Sequence, residues 1–465
     1  MLCFEKEAAS PLYQQLYEQL RQQIMEGVLP RGRKLPSTRK LASEYHLSRN
    51  TVIRAYRQLE VEGYVSSTVG SGHYVEDLGF FRGFGHSERS ERVLRRQAEE
   101  NDTLFDFYYG NLDCNCYRSK AWRHCLLEAC DRMAAQSVVT YCDPQGLPEL
   151  REELAGYLRF SRGVRCRADQ IVVTNGHQQS LSLLAMLFAD GSWKFAMEEP
   201  GYDGTRAVWR QYGFSPIPIP LGQDGISVEE ARHLSHVLLY ITPSHQFPMG
   251  GVLPIAKRLA LLQWATESNS YILEDDYDSE LRYHSLPIPS LQSIDDNERT
   301  IYMGTFSKSL SPDLRVAYLV LPKPLLGIYR AVFSHANCPV SSLLQYALAQ
   351  YFRSGDYQKH VNAVRTYCLK KHDFILDYFK ENLSDQAVLS GSDAGLHFIL
   401  TLQKDSGTAS LAEEFLRNKV KIYSIAPFWS DQGKCPLNQF LLGYGSMALT
   451  ELPLALAAIK DVISR

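Results

Sequence analysis

From about residue 106 onward, short and wholly apolar segments alternate with longer helical patterns. The apolar segments are 171–173, 237–241, 271–273, 300–302 and 316–320. Strands that are buried on both faces of a parallel sheet have this composition, whereas half-solvated strands alternate apolar and polar residues. Helical periods such as 177–188 and 254–268 lie between the segments. The pattern therefore predicts an α/β fold with a mostly parallel sheet.

The first 76 residues follow a different pattern. Apolar side chains recur every four positions from Leu12 to Ile24, which predicts a helix. Ser37 and Ser48 stand where they can cap two further short helices. Residues 64–75 form two β-rich runs around a glycine-containing turn, which is typical of a hairpin. Two helices, a short turn, a third helix and a hairpin are the elements of a winged helix-turn-helix.

The segment 77–105 separates these two patterns. It begins with a glycine-rich stretch and continues with charged residues and few apolar anchors, as linkers do. A structureless segment of this length is unusual inside one compact domain, and 465 residues exceed what one core usually spans. We therefore predict a winged-helix DNA-binding domain over 1–76, a linker over 77–105 and an α/β domain over 106–465.

Local charge supports a nucleic-acid partner for the first domain. The net charge of the whole chain is only −3, so overall charge gives no such indication. Basic residues nevertheless gather at Arg31, Arg33, Lys34, Arg39, Lys40, Arg49, Arg54 and Arg57. This local excess favours a surface that faces DNA phosphates, with an ordinary solvated face as the alternative.

The third predicted helix carries the residues expected to read bases. A helix in the major groove contacts base edges through its N-terminal turn, and here that turn begins at Ser48. An arginine can pair with guanine and an asparagine with adenine, and hydroxyls can bind phosphate or base. Arg39 on the preceding helix is placed to contact the DNA backbone, and the wing glycines let the main chain approach a groove closely. The predicted DNA-binding residues are Arg39, Ser48, Arg49, Asn50, Thr51, Gly70 and Gly72.

Several classes of protein are excluded by pattern. The start of the chain lacks a basic region followed by an apolar stretch, so no signal peptide is predicted. No run of about 18 apolar residues predicts a membrane span. The ten cysteines are scattered, which favours free thiols over a disulfide framework or a zinc site. We expect a cytoplasmic protein without a metal site.

Lys308 is the central candidate of the second domain, because it follows directly after an apolar segment that ends at Met303. Pyridoxal 5′-phosphate (PLP) needs a lysine amine, an acid that keeps its pyridine nitrogen protonated, phosphate donors and a flat partner for its ring. Hydroxyls at Thr305 and Ser307 and the fixed charge of Arg315 flank the lysine, which suits a phosphate anchor.

Asp275 and Tyr277 follow the apolar segment 271–273. Open α/β sheets bind ligands at the carboxyl ends of their strands. We expect Asp275 to pair with the pyridine nitrogen and Tyr277 to reach the phenolic oxygen of the ring. Taken alone, this motif is also compatible with a solvated acidic loop.

Three weaker motifs also follow strand ends. Gly176, His177 and Gln178 open a helix whose exposed N–H groups can bind phosphate, although a plain helix start fits equally well. Tyr202 lies in a turn that can stack an aromatic ring on the pyridine, with ordinary turn packing as the alternative. His245 or Gln246 is placed to face the ring, and a structural histidine is the competing interpretation.

Both domains resemble known families. The stretch 11–75 resembles the GntR family through Pro36-Ser37-Thr38-Arg39-Lys40-Leu41-Ala42, Leu47-Ser48-Arg49-Asn50-Thr51-Val52, Leu59-Glu60-Val61-Glu62-Gly63-Tyr64-Val65 and Gly70-Ser71-Gly72-His73-Tyr74-Val75. The cofactor motifs, in their order over 106–465, resemble fold-type I aminotransferases. The whole chain is thus similar to the MocR/GabR family of regulators.

That resemblance implies roles for individual residues. By it, Lys308 is the Schiff-base lysine, Asp275 holds the ring nitrogen, and Tyr277 contacts the ring hydroxyl. It further implies that Tyr202 stacks on the ring, that Arg315 contacts phosphate, and that residues 176–178 form part of the phosphate cup. The family also implies a head-to-tail homodimer whose active sites lie at the subunit interface.

One position departs from the family pattern. Aminotransferase-like members usually carry an arginine near the C-terminus that holds a substrate carboxylate, and Leu441 stands at that position here. Loss of a bidentate clamp argues against ordinary binding of an α-amino acid. Either the effector lacks that carboxylate, or Arg118, Arg206 or Arg365 replaces the clamp, or the cofactor itself is sensed.

Three functions are compatible with these features. The first is a transcription regulator that senses an amine effector, or PLP itself, through the Lys308 aldimine and alters promoter binding. The second is a catalytically active aminotransferase whose DNA-binding head serves autoregulation, and Leu441 weakens that hypothesis. The third is a DNA-binding protein whose cofactor is purely structural. We favour the regulator, with a residual transaminase half-reaction allowed.

Overall fold

The computed structural model describes residues 4, 10–68, 72–77, 105–113, 119–137, 140–222, 224–284, 288–403 and 408–464. The chain divides into two compact units, Met1–Asn101 and Asp102–Arg465, and each is treated by itself. Nearly all of the predicted linker 77–105, the wing residue Gly70 and Arg118 lie outside the described residues. Within the described ranges, no helix is both long and apolar enough to cross a membrane.

The first unit has the elements of a winged helix. They are α1 (Leu12–Met25), α2 (Thr38–Glu44), α3 (Arg49–Val61), β1 (Val65–Thr68) and β2 (Gly72–Val75). The Ser37 hydroxyl accepts a hydrogen bond from the Lys40 N–H, and the Ser48 hydroxyl accepts one from the Thr51 N–H, so both predicted caps are confirmed. The two strands pair antiparallel in register with Val65 opposite Val75.

One small core holds this unit together. The apolar side chains of α1 at every fourth position from Leu16 to Ile24 are buried, and α1 packs against α3, because that spacing keeps them on one helix face. The buried members include Leu16, Leu20, Ile24, Leu41, Val52, Tyr56 and Leu59. The opposite face of α3 is left for polar and basic side chains.

The second unit is larger and mixes helices with strands. Its helices are α4 (Lys120–Ala134), α5 (Pro148–Arg162), α6 (His177–Leu187), α7 (Asp203–Gln211), α8 (Val228–Arg232), α9 (Ile255–Glu267), α10 (Lys323–Val332), α11 (Ser342–Arg353), α12 (Asp356–Asn382), α13 (Thr408–Arg417) and α14 (Leu452–Ile463). Its strands are β3 (Phe105–Asp106), β4 (Ile171–Thr174), β5 (Lys194–Glu199), β6 (Ile217–Gly222), β7 (Gly225–Ile226), β8 (Val237–Ile241), β9 (Tyr271–Asp276), β10 (Thr300–Thr305), β11 (Ala317–Val320), β12 (Ala387–Ser390), β13 (His397–Leu402), β14 (Val420–Lys421), β15 (Tyr423–Ser424) and β16 (Gln439–Gly443).

An eight-stranded sheet forms the centre of the second unit, in the order β4-β11-β10-β9-β8-β5-β6-β7. β10, β9, β8, β5 and β6 pair in parallel, whereas β11 is antiparallel to both of its neighbours and β7 is antiparallel to β6. The strands β4, β8, β9, β10 and β11 are buried along their whole length. The predicted α/β fold with a mostly parallel sheet is confirmed.

A second, antiparallel sheet has the order β12-β13-β16-β15. Its core contains side chains from α12 and α14, which pack against each other. Leu441 lies in β16 opposite Ile399 of β13 and Tyr423 of β15. Leu441 shares an apolar cluster with Phe247, which lies in the loop after β8. The small sheet thus brings the position of the missing arginine beside that loop.

Candidate functional site

A cavity of about 580 Å³ opens at the carboxyl ends of β8, β9 and β10, which is a size typical of small-molecule sites. The predicted residues that line it are His177, Gln178, Tyr202, Asp275, Tyr277, Thr305, Ser307, Lys308 and Arg315. Gly176 lies next to this lining, against Arg315, and His245 lies behind Tyr277. The fold thus brings the predicted cofactor residues together.

Lys308 contributes a primary amine to the cavity. Its Nζ donates a hydrogen bond to the backbone carbonyl of Tyr109 at 2.7 Å. Burial disfavours the ammonium form and lowers the pKa of Lys308 to about 8, although the Asp278 carboxylate acts in the opposite direction. About a tenth of the amine is therefore uncharged at pH 7, far more than in an ordinary lysine, and the uncharged form is the one a nucleophile requires.

The two carboxylate oxygens of Asp275 have different surroundings. Oδ2 accepts hydrogen bonds from His177 Nε2 at 2.8 Å and from the Tyr240 hydroxyl at 2.5 Å. Oδ1 is buried, and no donor within the described part of the chain bonds to it. A buried acceptor without a donor is costly. Oδ1 therefore fits a ligand that brings its own N–H, such as a protonated pyridine nitrogen.

A cradle for an anion lies at the start of α6. Gly176 precedes this helix with φ +82°, and a Cβ there would lie 2.4 Å from Arg315 Nη2. Only glycine lets the guanidinium approach so closely. The Thr305 hydroxyl donates to Ser307 Oγ at 2.9 Å and accepts from the Ser307 N–H at 3.1 Å, beside the same cavity. Helix N–H groups, hydroxyls and an arginine are the donors that a phosphate requires.

Tyr277 and His245 form a hydrogen-bonded layer with Asp278. The Tyr277 hydroxyl lies 3.0 Å from His245 Nδ1, and Asp278 Oδ2 lies 2.7 Å from the same nitrogen. His245 is buried behind Tyr277, so it contacts the predicted ring partner rather than lining the cavity. Gln246 is also turned away, because its amide donates to the carbonyls of Pro200 and Phe247.

Sequence reasoning missed several residues of the site. Tyr240 lies within the apolar strand β8, and a buried tyrosine hydroxyl needs a hydrogen-bond partner. That requirement could have indicated from sequence that Tyr240 contacts a polar group of the site. Tyr109 and His397 also line the cavity. They come from the segment after β3 and from the start of the small sheet, and nothing in the local sequence connects them with Lys308.

The position of the family's carboxylate-binding arginine holds an apolar side chain, as the sequence predicts, and this position does not line the described part of the cavity. Leu441 is fully buried in an apolar cluster with Phe247, Ile399, Ile425 and Phe428. Among the described residues that line the cavity, Arg315 is the single arginine.

Two of the suggested replacement arginines point elsewhere. The Arg206 guanidinium bonds to Glu199 at 3.0 Å and to the backbone carbonyls of Pro427 and Phe428. Arg365 of α12 is half-buried and bonds to Asn362. Neither replaces the clamp within this chain, and the third, Arg118, falls outside the described residues.

The first unit presents its basic side chains to solvent. The exposed members are Arg31, Arg33, Lys34, Arg39, Lys40, Arg49, Arg54 and Arg57. Arg49 and Asn50, the first two residues of α3, are both exposed, whereas the hydroxyls of Ser48 and Thr51 bond to each other at 2.8 Å. Gly72, the first residue of β2, has φ +111°, and a Cβ there would lie 3.1 Å from Lys34 Cε. Contact of these residues with DNA stays a prediction.

Comparison with known proteins covers both units. Residues 12–75 match the family described as bacterial regulatory proteins, gntR family, and residues 110–429 match the family described as aminotransferase class I and II. The archaeal alanine:glyoxylate aminotransferase has a similar structure with a TM-score of 0.70 and 24% identity, over 80% of this chain and 94% of that one. At that identity the likeness shows the fold alone.

Several bacterial regulators are similar over nearly the whole chain. YdeL of Bacillus subtilis, an uncharacterized HTH-type transcriptional regulator, is 35% identical over 97% of this chain and 96% of its own. The probable rhizopine catabolism regulatory protein MocR of Rhizobium meliloti is 35% identical over 86% and 83%. The pyridoxine biosynthesis transcriptional regulator PdxR of Corynebacterium glutamicum is 32% identical over 97% and 95%.

Fold and site together define a class of protein in which a winged-helix DNA-binding unit is fused to an aminotransferase-like unit. The chain belongs to the MocR-type family of GntR transcription regulators.

Proposed function

We propose that this chain is a PLP-dependent transcription regulator. Residues 1–76 bind operator DNA, and residues 106–465 hold PLP at Lys308 and respond to an amine effector or to a B6 vitamer. The observation that carries the proposal is a single cavity that contains both the Lys308 amine and Asp275 Oδ1, a buried acceptor to which no described donor bonds. The same chain carries a winged-helix unit. A regulator without a cofactor would have no need for that combination.

The residues of the cavity divide the work of holding PLP. The cofactor supplies an aldehyde that condenses with primary amines and a ring that withdraws electrons. Asp275 keeps a proton on the pyridine nitrogen, and His177 and Tyr240 fix the orientation of its carboxylate. Arg315, Ser307, Thr305 and the N–H groups of Gly176 to Gln178 hold the phosphate. Tyr202 stacks on the ring, and Tyr277, oriented by His245, donates to the ring oxygen.

The apolar environment of Leu441 bears on the class of effector. Phe247, which packs in the same apolar cluster as Leu441, lines the cavity, and a carboxylate placed against it would lose its hydration without gaining a partner. We therefore infer that the effector is not held as an α-amino acid: it is either an amine without that carboxylate, which condenses with the cofactor aldehyde, or a B6 vitamer. A B6 aldehyde condenses with the Lys308 amine itself and carries no carboxylate.

The same feature favours a regulator over a transaminase. Repeated turnover requires discrimination among amino-acid substrates, which a bidentate arginine normally provides. Without it, a residual half-reaction is allowed and efficient turnover is not expected. The relatives named above are likewise named as regulators.

The remaining partners follow from the proposal. Double-stranded DNA is the partner of Arg39, Arg49 and Asn50, all exposed in the first unit. A second copy of the chain completes a head-to-tail homodimer, as the resemblance to fold-type I proteins implies. The site of action is the cytoplasm, where bacterial DNA lies.

The decisive test is to locate the covalent bond. Purified full-length protein is incubated with PLP, reduced with borohydride, digested and analysed by mass spectrometry, and operator retention is measured on the same sample. We expect one pyridoxyl label on Lys308 and retention of promoter DNA. Lys308→Ala should lose the label, while the matched control Lys323→Ala, an exposed lysine paired with Glu298, should keep it.

Three results would contradict the proposal. A wild-type protein that remains colourless and unlabelled after supplementation with PLP would remove the cofactor. Normal labelling of Lys308 combined with no DNA retention would remove the regulator and leave an aminotransferase-like enzyme. Sustained production of keto acid from an amine donor would favour the enzyme as well.

A further inference from the structure

A cluster of metal-binding side chains lies outside the cavity, where the loop after β9 meets α12. His284 lies on that loop and is exposed, while His372 and Asp373 are neighbours in α12. Each residue offers one ligand atom, and these atoms lie within 4.8 Å of one another. Asp373 Oδ1 lies 3.0 Å from His284 Nε2 and 2.8 Å from His372 Nδ1.

The hydrogen bonds of His372 show which of its nitrogens is free to bind a cation. Its Nε2 lies 2.7 Å from the backbone carbonyl oxygen of Ser392. A carbonyl only accepts, so Nε2 carries the hydrogen, and Nδ1 of the neutral ring presents a lone pair. That lone pair faces Asp373 Oδ1, which is also an acceptor. Two acceptors at this distance repel each other unless a proton or a metal ion neutralises them.

We propose that His284, His372 and Asp373 bind a divalent transition-metal ion, and that zinc fits them best. Two imidazole nitrogens and one carboxylate oxygen form the ligand set of open tetrahedral zinc sites, in which water takes the fourth position. Water has access here, because His284 and Asp373 are 62% and 44% exposed.

The geometry suits such an ion with a small adjustment. The two imidazole centroids are 5.5 Å apart, and two imidazoles on one tetrahedral ion adopt about 5 Å. The nitrogen–oxygen pairs need to separate only to about 3.3 Å around that ion. The Ser392 carbonyl already supplies the hydrogen bond that orients a metal-binding histidine from behind.

Such a site would fasten three separate segments of the second unit. His284 comes from the loop after β9, α12 provides two ligands, and Ser392 lies in the turn before β13. The same loop already contacts that turn, since the Tyr283 hydroxyl and the Gly395 N–H bond to Gly395 O and Leu281 O respectively. Zinc bound there stabilises the folded unit by mass action.

The test titrates metal-free, full-length protein with zinc in a buffer that contains neither thiols nor phosphate. Binding is followed by calorimetry and by the melting temperature, and cobalt replaces zinc for visible absorption. His284→Ala and Asp373→Asn each remove an exposed ligand and leave the buried His372 in place. His124→Ala is the matched control, because His124 is another exposed histidine paired with a carboxylate, that of Glu128.

The wild type should bind one equivalent of zinc, with a rise in melting temperature and cobalt bands typical of a tetrahedral site. Each ligand variant should bind that equivalent at least about tenfold more weakly, and the control should behave as the wild type. Absence of binding by the wild type would show that a proton holds the cluster. Unchanged binding by either ligand variant, or equal loss in His124→Ala, would also overturn the proposal.

Discussion

At the scale of single residues, the cavity is built around a lysine that burial makes reactive. The amine of an ordinary lysine remains an ammonium at neutral pH, and an ammonium cannot attack an aldehyde. Removal from water lowers the pKa of Lys308 to about 8, and Asp278 limits that effect. The Tyr109 carbonyl orients the amine toward the cavity. Burial therefore provides the nucleophile, and the hydrogen bond to Tyr109 provides its direction.

This pKa predicts how PLP attachment depends on pH. The uncharged amine is the reactive form, so its fraction increases about tenfold per pH unit well below the pKa and levels off above it. The rate of PLP attachment to stripped protein, followed by stopped-flow absorbance, should rise steeply from pH 6 and flatten above about pH 8. With Nα-acetyl-lysine as the control, the rise should continue to about pH 10. A matching profile for the protein would contradict the lowered pKa.

Asp275→Asn tests the role of Oδ1, the buried carboxylate oxygen to which no described donor bonds. The substitution keeps the shape of the side chain but removes the charge that pairs with a protonated pyridine nitrogen. Hydrogen bonds to charged groups contribute about 1.5–3 kcal/mol, so PLP affinity in a fluorescence titration should fall roughly 10- to 100-fold. Asp190→Asn, at an exposed turn, serves as the control and should bind normally. Unchanged affinity in Asp275→Asn would assign the ring nitrogen another partner.

At the scale of elements, sequence pattern predicted strands and caps well. The predicted segment 237–241 coincides with β8, and Ser37 and Ser48 cap their helices. β9 runs three residues beyond its apolar part, to Asp276. Asp276 is tolerated inside the buried strand because Arg162 bonds to it at 2.7 Å from 114 positions away. A partner so distant in the chain cannot be deduced from local pattern.

The same limit applies to the site. Lys308 and Asp275 are predicted because each follows an apolar segment whose end is where α/β sheets place ligands, and Arg315 is predicted because its fixed charge flanks Lys308. Tyr109 and His397 were not, since the small antiparallel sheet and the segment after β3 bring them to the cavity by tertiary packing alone. The effect of Leu441 could be stated from sequence, but its apolar surroundings come from β13 and from distant loops.

β16 carries a prediction about ligand choice. Because Leu441 is packed among apolar side chains, the wild type gains nothing from a ligand carboxylate. The test compares pairs of ligands that differ only by a carboxylate, namely an amino acid and the amine left when its carboxylate is removed. In spectral titrations of PLP-loaded protein, the amine should bind at least as tightly as the amino acid. A consistent tenfold preference for the amino acid would show that another cation, such as Arg118, supplies the clamp.

α3 carries a prediction about DNA. Arg49→Ala should weaken operator binding by about 1–3 kcal/mol if Arg49 reads a base, because a bidentate contact to a base edge is lost. Fluorescence anisotropy with operator and with scrambled DNA would measure the change. Arg21→Ala, at an exposed position of α1 outside the set of basic residues predicted to face DNA, is the matched control. Equal loss on both DNAs would show that Arg49 contacts phosphate and does not specify sequence.

At the scale of the whole molecule, regulation requires that ligand binding in one compact unit and DNA binding in the other are thermodynamically coupled. An effector changes DNA affinity only if it binds the two states of the protein with different affinity. The coupling is reciprocal, so operator DNA must change effector affinity by the same factor. The proposed regulator therefore requires that ligand binding at Lys308 and DNA binding by residues 1–76 depend on each other, which a purely structural cofactor would not.

Lys308→Ala separates these possibilities. Residues 1–76 fold around their own core, so basal operator affinity should stay within about twofold of the wild type. The shift in operator affinity caused by PLP or an amine should disappear, because the bond that distinguishes the two states cannot form. Anisotropy titrations with and without ligand measure both quantities, and Lys323→Ala should retain the shift. A shift that persists in Lys308→Ala would move the sensing site elsewhere, whereas a wild type without any shift would leave the cofactor a structural role.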